Sequence, residues 1–283
     1  MPIKITECPR DAMQGLDKWI PTNDKADYIN QLLKVGFDVI DFGSFVSPKA
    51  IPQLKDTARV LDLLDLEDKS SKLLAIIANS RGARDAALFN QIDFLGFPFS
   101  ISETFQLKNT NSTIEESLSR VEEINSIAQK SNKKLLVYIS MAFGNPYGDA
   151  WSPEVAGQWI ERLNREFGIT DFALADTVGV SDAQSISAMF KSVLPALPDL
   201  HIGAHLHSTI EDTKLKVESA YQAGCRSFDV AINGLGGCPM TENVLVGNVA
   251  TENLLIAIPE SETNHISRKE FGHALIMAQQ LFS

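Results

Sequence analysis

The sequence contains few cysteines, no long apolar segment and no linker-like stretch before about residue 259. Its three cysteines are Cys8, Cys225 and Cys238, and their spacing fits neither a zinc-binding pair nor a disulfide framework. This pattern predicts a reducing, cytoplasmic location. No run approaches the roughly 18 apolar residues of a membrane span, so we expect no membrane association. The chain enters a strand-like segment directly after Pro2, and we therefore expect no signal or transit peptide.

The sequence also lacks an excess of basic residues. It has 25 Lys and Arg against 36 Asp and Glu, and the net charge is therefore −11. A protein of this charge has no electrostatic footprint for nucleic acid or for an anionic membrane surface. An anionic substrate would need a local positive group or a metal ion.

What is present is a regular alternation of short apolar runs with segments of helical period. Eight runs are predicted strands: 3–7, 39–43, 73–78, 92–97, 135–140, 172–176, 202–207 and 227–232. Eight strands alternating with helices favour a (β/α)8 TIM barrel, because eight is the number that closes. An open doubly wound sheet is the alternative that periodicity leaves open. We expect one catalytic domain over residues 1–283, with the barrel at about 3–258 and an extra helix at about 267–283.

Two helix starts have clear sequence signals. Thr113 and Glu116 form a capping box ahead of an apolar face. Ser152 precedes Pro153, which is typical of an N-cap followed by proline at the first helical position. Both signals support the assignment of helices between the predicted strands.

Two histidines at the end of the seventh predicted strand are the strongest candidate site. Residues i and i+2 of a strand point to the same face, so His205 and His207 should project together at the end where TIM barrels carry their active sites. Two neutral imidazoles on one face can chelate a metal ion. The alternative is a pair of core histidines bonded to the backbone.

Other polar residues fall at the same end of the predicted barrel. Arg10 and Asp11 follow the first strand, where a surface ion pair is the simpler interpretation. Asp41 and Asp176 lie in apolar strands, and a carboxylate there is costly unless it is paired or metal-bound.

Two further candidates follow the eighth strand. Cys238 lies in a glycine-rich loop and is either catalytic or an inert buried thiol. Asn248 is either an N-cap or a metal ligand.

Six segments together resemble a known family. They are Pro-Arg-Asp with Gln at 9–14, Ser-Phe-Val-Ser-Pro-Lys with Pro-Gln at 44–53, Asp-Thr-Val-Gly at 176–179, His-Leu-His at 205–207, Gly-Leu-Gly-Gly-Cys-Pro at 234–239, and Gly-Asn with Thr-Glu at 247–252. The chain is similar to 3-hydroxy-3-methylglutaryl-CoA lyases, within a wider group of metal-dependent TIM-barrel lyases and Claisen-type synthases. The second and fifth segments are specific to the lyase branch.

The resemblance implies a site for one divalent ion, Mg²⁺ or Mn²⁺. Its implied ligands are Asp11, His205, His207 and Asn248. A carboxylate, two imidazoles and an amide carbonyl would leave a hard, partly open octahedral shell. A hydroxyl and a carboxylate of the substrate could complete it.

The resemblance also implies the remaining roles. Arg10 would polarise a thioester carbonyl, Cys238 would be the catalytic thiol, and Asp176 would be an active-site acid. The expected substrate-binding residues are Gln14, Asp41 and Lys49. The implied reaction is retro-Claisen cleavage of 3-hydroxy-3-methylglutaryl-CoA, or a close 3-hydroxyacyl-CoA, by a homodimer.

Three other functions are open to a chain of this pattern. A Claisen condensing synthase shares the barrel and the metal ligands, although such enzymes usually carry further C-terminal domains. A Schiff-base aldolase needs a lysine in a barrel strand, and the predicted strands 135–140 and 172–176 have none. The third is a non-enzymatic metal-binding or partner-binding barrel.

Overall fold

Eight parallel strands close into a barrel in the computed structural model, which describes residues 2–67, 69–237 and 246–282. In order around the barrel they are β1 (Lys4–Glu7), β2 (Val39–Ser44), β3 (Lys72–Ile76), β4 (Phe94–Ser100), β5 (Lys134–Ser140), β6 (Asp171–Ala175), β7 (His201–His205) and β9 (Ser227–Val230). The last barrel strand pairs with the first, so the sheet is closed. The predicted TIM barrel is confirmed, and the open doubly wound sheet is excluded.

Most predicted strand boundaries differ from the structure by one or two residues, and two strands differ in ways that matter. The fourth strand runs from Phe94 to Ser100 rather than over 92–97, because all seven of its residues pair with β5. The seventh predicted strand, 202–207, is interrupted after His205. His207 belongs instead to β8 (His207–Ser208), which pairs antiparallel with β10 (Gly247–Asn248).

Helices separate the strands and cover the outside of the barrel. They are α1 (Pro9–Gln14), α2 (Thr22–Leu33), α3 (Thr57–Leu61), α4 (Ser80–Ala87), α5 (Glu103–Thr110), α6 (Ile114–Lys130), α7 (Pro153–Phe167), α8 (Ala183–Ala196), α9 (Thr213–Gln222), α10 (Thr251–Ala257) and α11 (Arg268–Leu281). Both predicted helix starts are confirmed. Thr113 and Glu116 form the reciprocal capping box of α6, and the Ser152 hydroxyl accepts the Val155 N–H at the start of α7.

The last helix returns to the start of the barrel. The Ser267 N–H donates to the carbonyl of Val35 (2.8 Å), and Gln31 Nε2 donates to the carbonyl of Glu270 (2.9 Å). These bonds join α11 to α2. In the part of the chain that the structure describes, no helix is both long and apolar enough to span a bilayer.

Candidate active site

A cavity of about 580 Å³ opens at the carboxyl ends of the strands, where a TIM barrel carries its active site. Polar side chains line it at several points, and four of them, Arg10, Asp11, His205 and His207, together form a polar wall. The apolar part includes Ile76, Phe97 and Phe105. Because β3 lies four strands away from β7 in an eight-stranded barrel, Ile76 faces the histidines across the opening. The volume is that of a small-molecule site with polar groups concentrated on one wall.

Three predicted metal ligands meet at this wall. Asp11 lies in α1, His205 ends β7 and His207 opens β8. One potential ligand atom from each residue lies within 4.8 Å of the other two. The two imidazole rings are 5.3 Å apart, so the prediction that they project together is confirmed even though the barrel strand ends between them.

Hydrogen bonds fix which nitrogen each histidine presents to the cavity. His205 Nδ1 lies 3.1 Å from Asp229 Oδ2, and His207 Nδ1 lies 3.2 Å from the carbonyl oxygen of Thr177. With an Nδ1–H donated to each oxygen, both Nε2 atoms keep a free lone pair for an ion. This pairing is typical of metal-binding histidines.

The charges of these ligands also suit a cation. Burial and the neighbouring His205 lower the pKa of His207 to about 4, so its imidazole is neutral at pH 7. Burial opposes ionisation of Asp11, but Arg10 and the histidines outweigh it and lower the pKa of Asp11 below its usual value. At His205, burial is outweighed by the hydrogen bond and charge of Asp229, which raise its pKa.

Asn248 supplies a fourth possible ligand. It pairs with His207 between β10 and β8, and its Nδ2 donates to Asp11 Oδ2 (2.6 Å) and to the Leu235 carbonyl (2.8 Å). Its Oδ1 is buried and has no hydrogen-bond partner among the described residues. Asn248 is not an N-cap, because α10 begins three residues later with Ala250 in that position. The residues present therefore fit a metal ion: Asp11, His205 and His207 cluster, and Asn248 carries a buried amide oxygen with no other use among the described residues.

The glycine-rich loop passes directly against these ligands. Gly236 has a φ of +94°, and a Cβ built there would lie 2.6 Å from Asn248 Nδ2 and 2.8 Å from the Asp11 carbonyl oxygen. The next residue, Gly237, donates its N–H to Asp11 Oδ2 (3.3 Å). A side chain at Gly236 would displace two of the ligands. Cys238, the predicted catalytic thiol, lies outside the described residues.

Arg10 is a buried cation rather than a surface ion-pair partner. Its Nε and Nη2 donate to Asp41 Oδ2 (2.9 and 2.5 Å), and its Nη1 donates to Asp11 Oδ1 (2.7 Å) and Gln14 Oε1 (2.9 Å). Among the described residues, four of the five guanidinium N–H groups are therefore used. Burial raises the pKa of Asp41 to about 6 against the opposing charge of Arg10.

The other predicted residues lie at different distances from the cavity. Gln14 lines it, whereas Asp41 lies beneath Arg10 with one oxygen, Oδ1, unpartnered. Lys49 is exposed on the turn between β2 and α3, between Val46 and Ala50, which line the cavity.

Asp176 is not one of the residues that line the cavity. Its carboxylate accepts the N–H groups of Val180 and Ser181, the Ser181 hydroxyl and Lys216 Nζ (3.3 Å). Lys216 Nζ also donates to the His207 carbonyl (2.8 Å), so Asp176 contacts the site through another residue.

Three residues at the site were missed by sequence reasoning. Asp229, which holds His205, is a carboxylate in an apolar strand and carries the same signal that drew attention to Asp41. Lys216 lies on a helix whose sequence gives no sign that one of its cations is buried. Tyr138 lines the cavity from β5, and an aromatic residue in a strand is too common to attract attention.

Comparison with known proteins identifies the family of this chain. The HMGL-like family model matches residues 3–272. The chain belongs to the HMGL-like family. This HMGL-like chain is 35% identical over 257 residues to hydroxymethylglutaryl-CoA lyase of Bacillus subtilis, which covers 90% of this chain and 84% of that protein. It is 34% identical to the cytoplasmic 3-hydroxy-3-methylglutaryl-CoA lyase of Rattus norvegicus, over 89% of this chain and 73% of that one.

Solved structures agree. An HMG-CoA lyase from A. baumannii, in complex with coenzyme A and 3-methylmalate, superposes with a TM-score of 0.89 at 30% identity, covering 99% of this chain and 91% of that one. The predicted family is therefore confirmed, and this HMGL-like protein is a lyase.

Proposed function

We propose that this protein cleaves 3-hydroxy-3-methylglutaryl-CoA, or a close 3-hydroxyacyl-CoA, to acetyl-CoA and acetoacetate, with Mg²⁺ or Mn²⁺ as its cofactor. The observation that carries the proposal is the convergence of Asp11, His205 and His207 beside a buried arginine in one cavity, with Asn248 bonded to Asp11 and its Oδ1 unpartnered. The coenzyme A bound by the A. baumannii lyase supports an acyl-CoA substrate.

The four ligand residues would hold the ion on the polar wall. A divalent cation bound there supplies a Lewis acid that favours ionisation of the substrate hydroxyl and neutralises its carboxylate. Neutral His207 and ionised Asp11 are already in the protonation states that bind a cation, whereas the raised pKa of His205 means that a cation competes with a proton there.

Arg10 is placed to stabilise the charge that the reaction creates. In a retro-Claisen cleavage the 3-hydroxyl transfers its proton to a base and the C2–C3 bond breaks; at the end of the cycle that proton restores the thiol that protonates C2. C3 becomes a ketone, and the electron pair passes to C2 and the thioester oxygen as an enolate. Arg10 is held rigidly by Asp41 and Asp11 and is always charged, so it offers a preorganised donor for that oxygen.

Cys238 completes the reaction by protonating C2, in the role that the family resemblance assigns to it. A thiol with the ordinary pKa of about 8.5 is mostly protonated at pH 7 and can act as an acid. We assign Asp176 a positioning role, because its carboxylate fixes Lys216, which donates to the backbone carbonyl of His207. Gln14 and Lys49 are proposed substrate contacts, and Asp41 is proposed to act by orienting Arg10.

The proposal is tested with metal-stripped protein and a panel of 3-hydroxyacyl-CoA thioesters. We expect stoichiometric acetoacetate and acetyl-CoA from 3-hydroxy-3-methylglutaryl-CoA only after Mg²⁺ or Mn²⁺ is restored. If acetyl-CoA and a keto acid instead release free CoA, the protein is a synthase. Metal-independent turnover, or no turnover with any thioester, would refute the proposal.

Cys238→Ser tests the assigned acid. A serine hydroxyl is a far weaker acid, so turnover should fall by about 10²–10⁴, the usual contribution of general acid catalysis, with metal binding near normal. A thiol reagent should inactivate the wild type, and substrate with metal should protect it. Cys225 is the matched control, because it is fully buried and burial raises its pKa to about 12, so it should react only after unfolding. An active serine variant would remove Cys238 from the mechanism.

We also infer that the chain is one catalytic domain, that its cysteine usage places it in the cytoplasm, and that it forms a homodimer, as the family resemblance implies. Light scattering coupled to gel filtration should give twice the mass of one chain. A monomer at assay concentrations would contradict the dimer.

A further inference from the structure

One buried hydroxyl at the site has no partner. Tyr138 is 6% exposed, lines the cavity from β5, and its Oη has no hydrogen-bond partner among the described residues. Leaving a buried donor unsatisfied costs about 1–3 kcal/mol, so folded proteins rarely do so without a functional reason. The hydroxyl therefore needs a hydrogen-bond partner from outside the described part of the chain.

The ring of Tyr138 is held in place from two sides. It packs edge-on against the ring of His205, with centroids 5.3 Å apart and planes at 77°. On β4, Gly96 leaves room for it, since a Cβ there would lie 3.1 Å from Tyr138 Cε2 and 2.6 Å from Ile76 Cδ1. The neighbouring strands place Pro98 and Ala173 in register with Tyr138, and neither offers a polar side chain. Its hydroxyl is thus fixed beside the metal-ligand cluster with no alternative bond nearby.

The reaction needs donors at this wall of the cavity. Arg10 has four of its five N–H groups occupied by Asp41, Asp11 and Gln14, whereas the Tyr138 hydroxyl is uncommitted. Preorganised donors aimed at developing charge typically contribute 10²–10³ in rate each.

We propose that Tyr138 is a further catalytic residue, whose hydroxyl donates a hydrogen bond to the thioester oxygen as the enolate forms. The inference rests on the proposed lyase reaction. The proton stays on Tyr138 throughout, so the bond adds no proton-transfer step. Tyr138 and the free Nη2 hydrogen of Arg10 together supply two donors for one oxygen.

Tyr138→Phe removes only the hydroxyl and separates this role from packing. We expect kcat to fall about 30- to 300-fold with KM changed less than about threefold. Metal affinity should be unchanged, and the melting temperature should be equal or higher, because an unsatisfied buried group is removed. A kcat within twofold of wild type, or a lowered melting temperature with weaker metal binding, would overturn the proposal.

Tyr221→Phe is the matched control. Its hydroxyl donates to Glu262 Oε1 (2.7 Å) away from the cavity, so this variant should keep wild-type kcat and have a slightly lower melting temperature. Loss of kcat in both variants would show that the Tyr138→Phe effect is not specific to the cavity, and would overturn the assignment.

A spectroscopic readout keeps the proposal separate from the lyase reaction. Protein labelled with ¹³C at tyrosine Cζ has four signals, and the one missing in Tyr138→Phe belongs to Tyr138. This signal should shift when acetyl-CoA binds with Mg²⁺, and it should not shift with CoA alone. A static signal would refute the contact even if the enzyme cleaves its substrate. A shift without cleavage would support the contact and count against the lyase proposal.

Discussion

Two buried cations, Lys25 and Arg10, lie in polar clusters whose hydrogen bonding differs in one respect. Lys25 Nζ donates to the Gln53 carbonyl and to Asp56 Oδ1 (2.7 Å), and it lies 3.9 Å from the centroid of the Trp19 ring. None of the side-chain atoms in this cluster is left buried without a partner among the described residues. Its interactions are complete within the chain.

The cluster around Arg10 is equally buried but incomplete. Asp41 Oδ1, Asn248 Oδ1 and Tyr138 Oη all lack a partner in the described ranges. Other unpartnered atoms occur at Ser71, Glu262 and His265, but among the described residues only the Arg10 cluster gathers three of them. Asp41 bonds Arg10, Asn248 bonds Asp11, and the Tyr138 ring packs against His205. Burial alone therefore does not distinguish a structural polar cluster from a functional one. Several unsatisfied groups gathered around one set of candidate ligands do.

The largest expected effect is at the metal ligands. Replacing His207 or His205 with alanine should abolish metal binding and lower turnover by more than about 10⁴-fold, since a single imidazole no longer forms the chelating pair. Metal content by mass spectrometry and the circular dichroism spectrum are the measurements. A full metal complement in both variants would show that the incomplete cluster is not the metal site.

Arg10→Lys should have the next largest effect. Lysine keeps the charge but loses the planar set of donors that Asp41, Asp11 and Gln14 orient, so kcat should fall by about 10²–10³, or ~3–4 kcal/mol. Steady-state kinetics give the value, and a thermal melt shows whether the fold is kept. A wild-type kcat would mean that Arg10 has only a structural role, satisfying the buried carboxylates around it as Lys25 satisfies Asp56.

Lys25→Met should have the opposite effect, a loss of stability with activity kept. Removing one partner of a buried ion pair leaves Asp56 uncompensated, so the free energy of unfolding should fall by about 3 kcal/mol. The cluster does not line the cavity, so kcat/KM should be unchanged. Urea unfolding and steady-state kinetics test the two halves, and a loss of kcat/KM at wild-type stability would break the distinction between the clusters.

Glu7→Gln has the smallest expected effect and acts through pH. Burial raises the pKa of Glu7 to about 8, against hydrogen bonds from the Ile232 N–H (2.8 Å) and the Thr251 hydroxyl (2.6 Å). A raised carboxyl pKa contributes stability that is complete below the unfolded pKa of about 4.5 and is lost as pH rises through about 8.

The glutamine variant cannot lose a proton, so it should gain about 2 kcal/mol relative to wild type between pH 6 and pH 8. Stability measured across that range is the test, with turnover expected to stay constant. Parallel stability curves for the two proteins would show that Glu7 is ionised in the folded state.

The parts of the site that were predictable from sequence are those set by strand period and motif order. Alternation along the strands placed His205 and His207 on one face, and the eight apolar runs indicated closure of the barrel. The pairing of β8 with β10 was not predictable, because it joins two residues to two others some forty positions away and follows no period. For that reason Asn248 could not be separated from an N-cap.

Side-chain partners were the other information that the sequence could not supply. Asp176 and Asp41 are both carboxylates in predicted apolar strands, yet Ser181 and Lys216 donate to the first and Arg10 to the second. Lys216 comes from α9 and Arg10 from α1, and neither pairing is marked in the sequence. The Tyr138 hydroxyl is likewise unpartnered because its cross-strand neighbours, Pro98 and Ala173, have no polar side chain, and the sequence does not show which residues those neighbours are.

The short β8–β10 pair also bears on how this active site can be re-engineered. Gly237 is anchored to Asp11 on one side, and Gly247 and Asn248 are anchored to Ser208 and His207 on the other. The two ends of the intervening chain are therefore fixed against the metal ligands, whatever its length. Exchanging that segment for others that keep Cys238 is a way to retune acyl-group selectivity with the anchors retained.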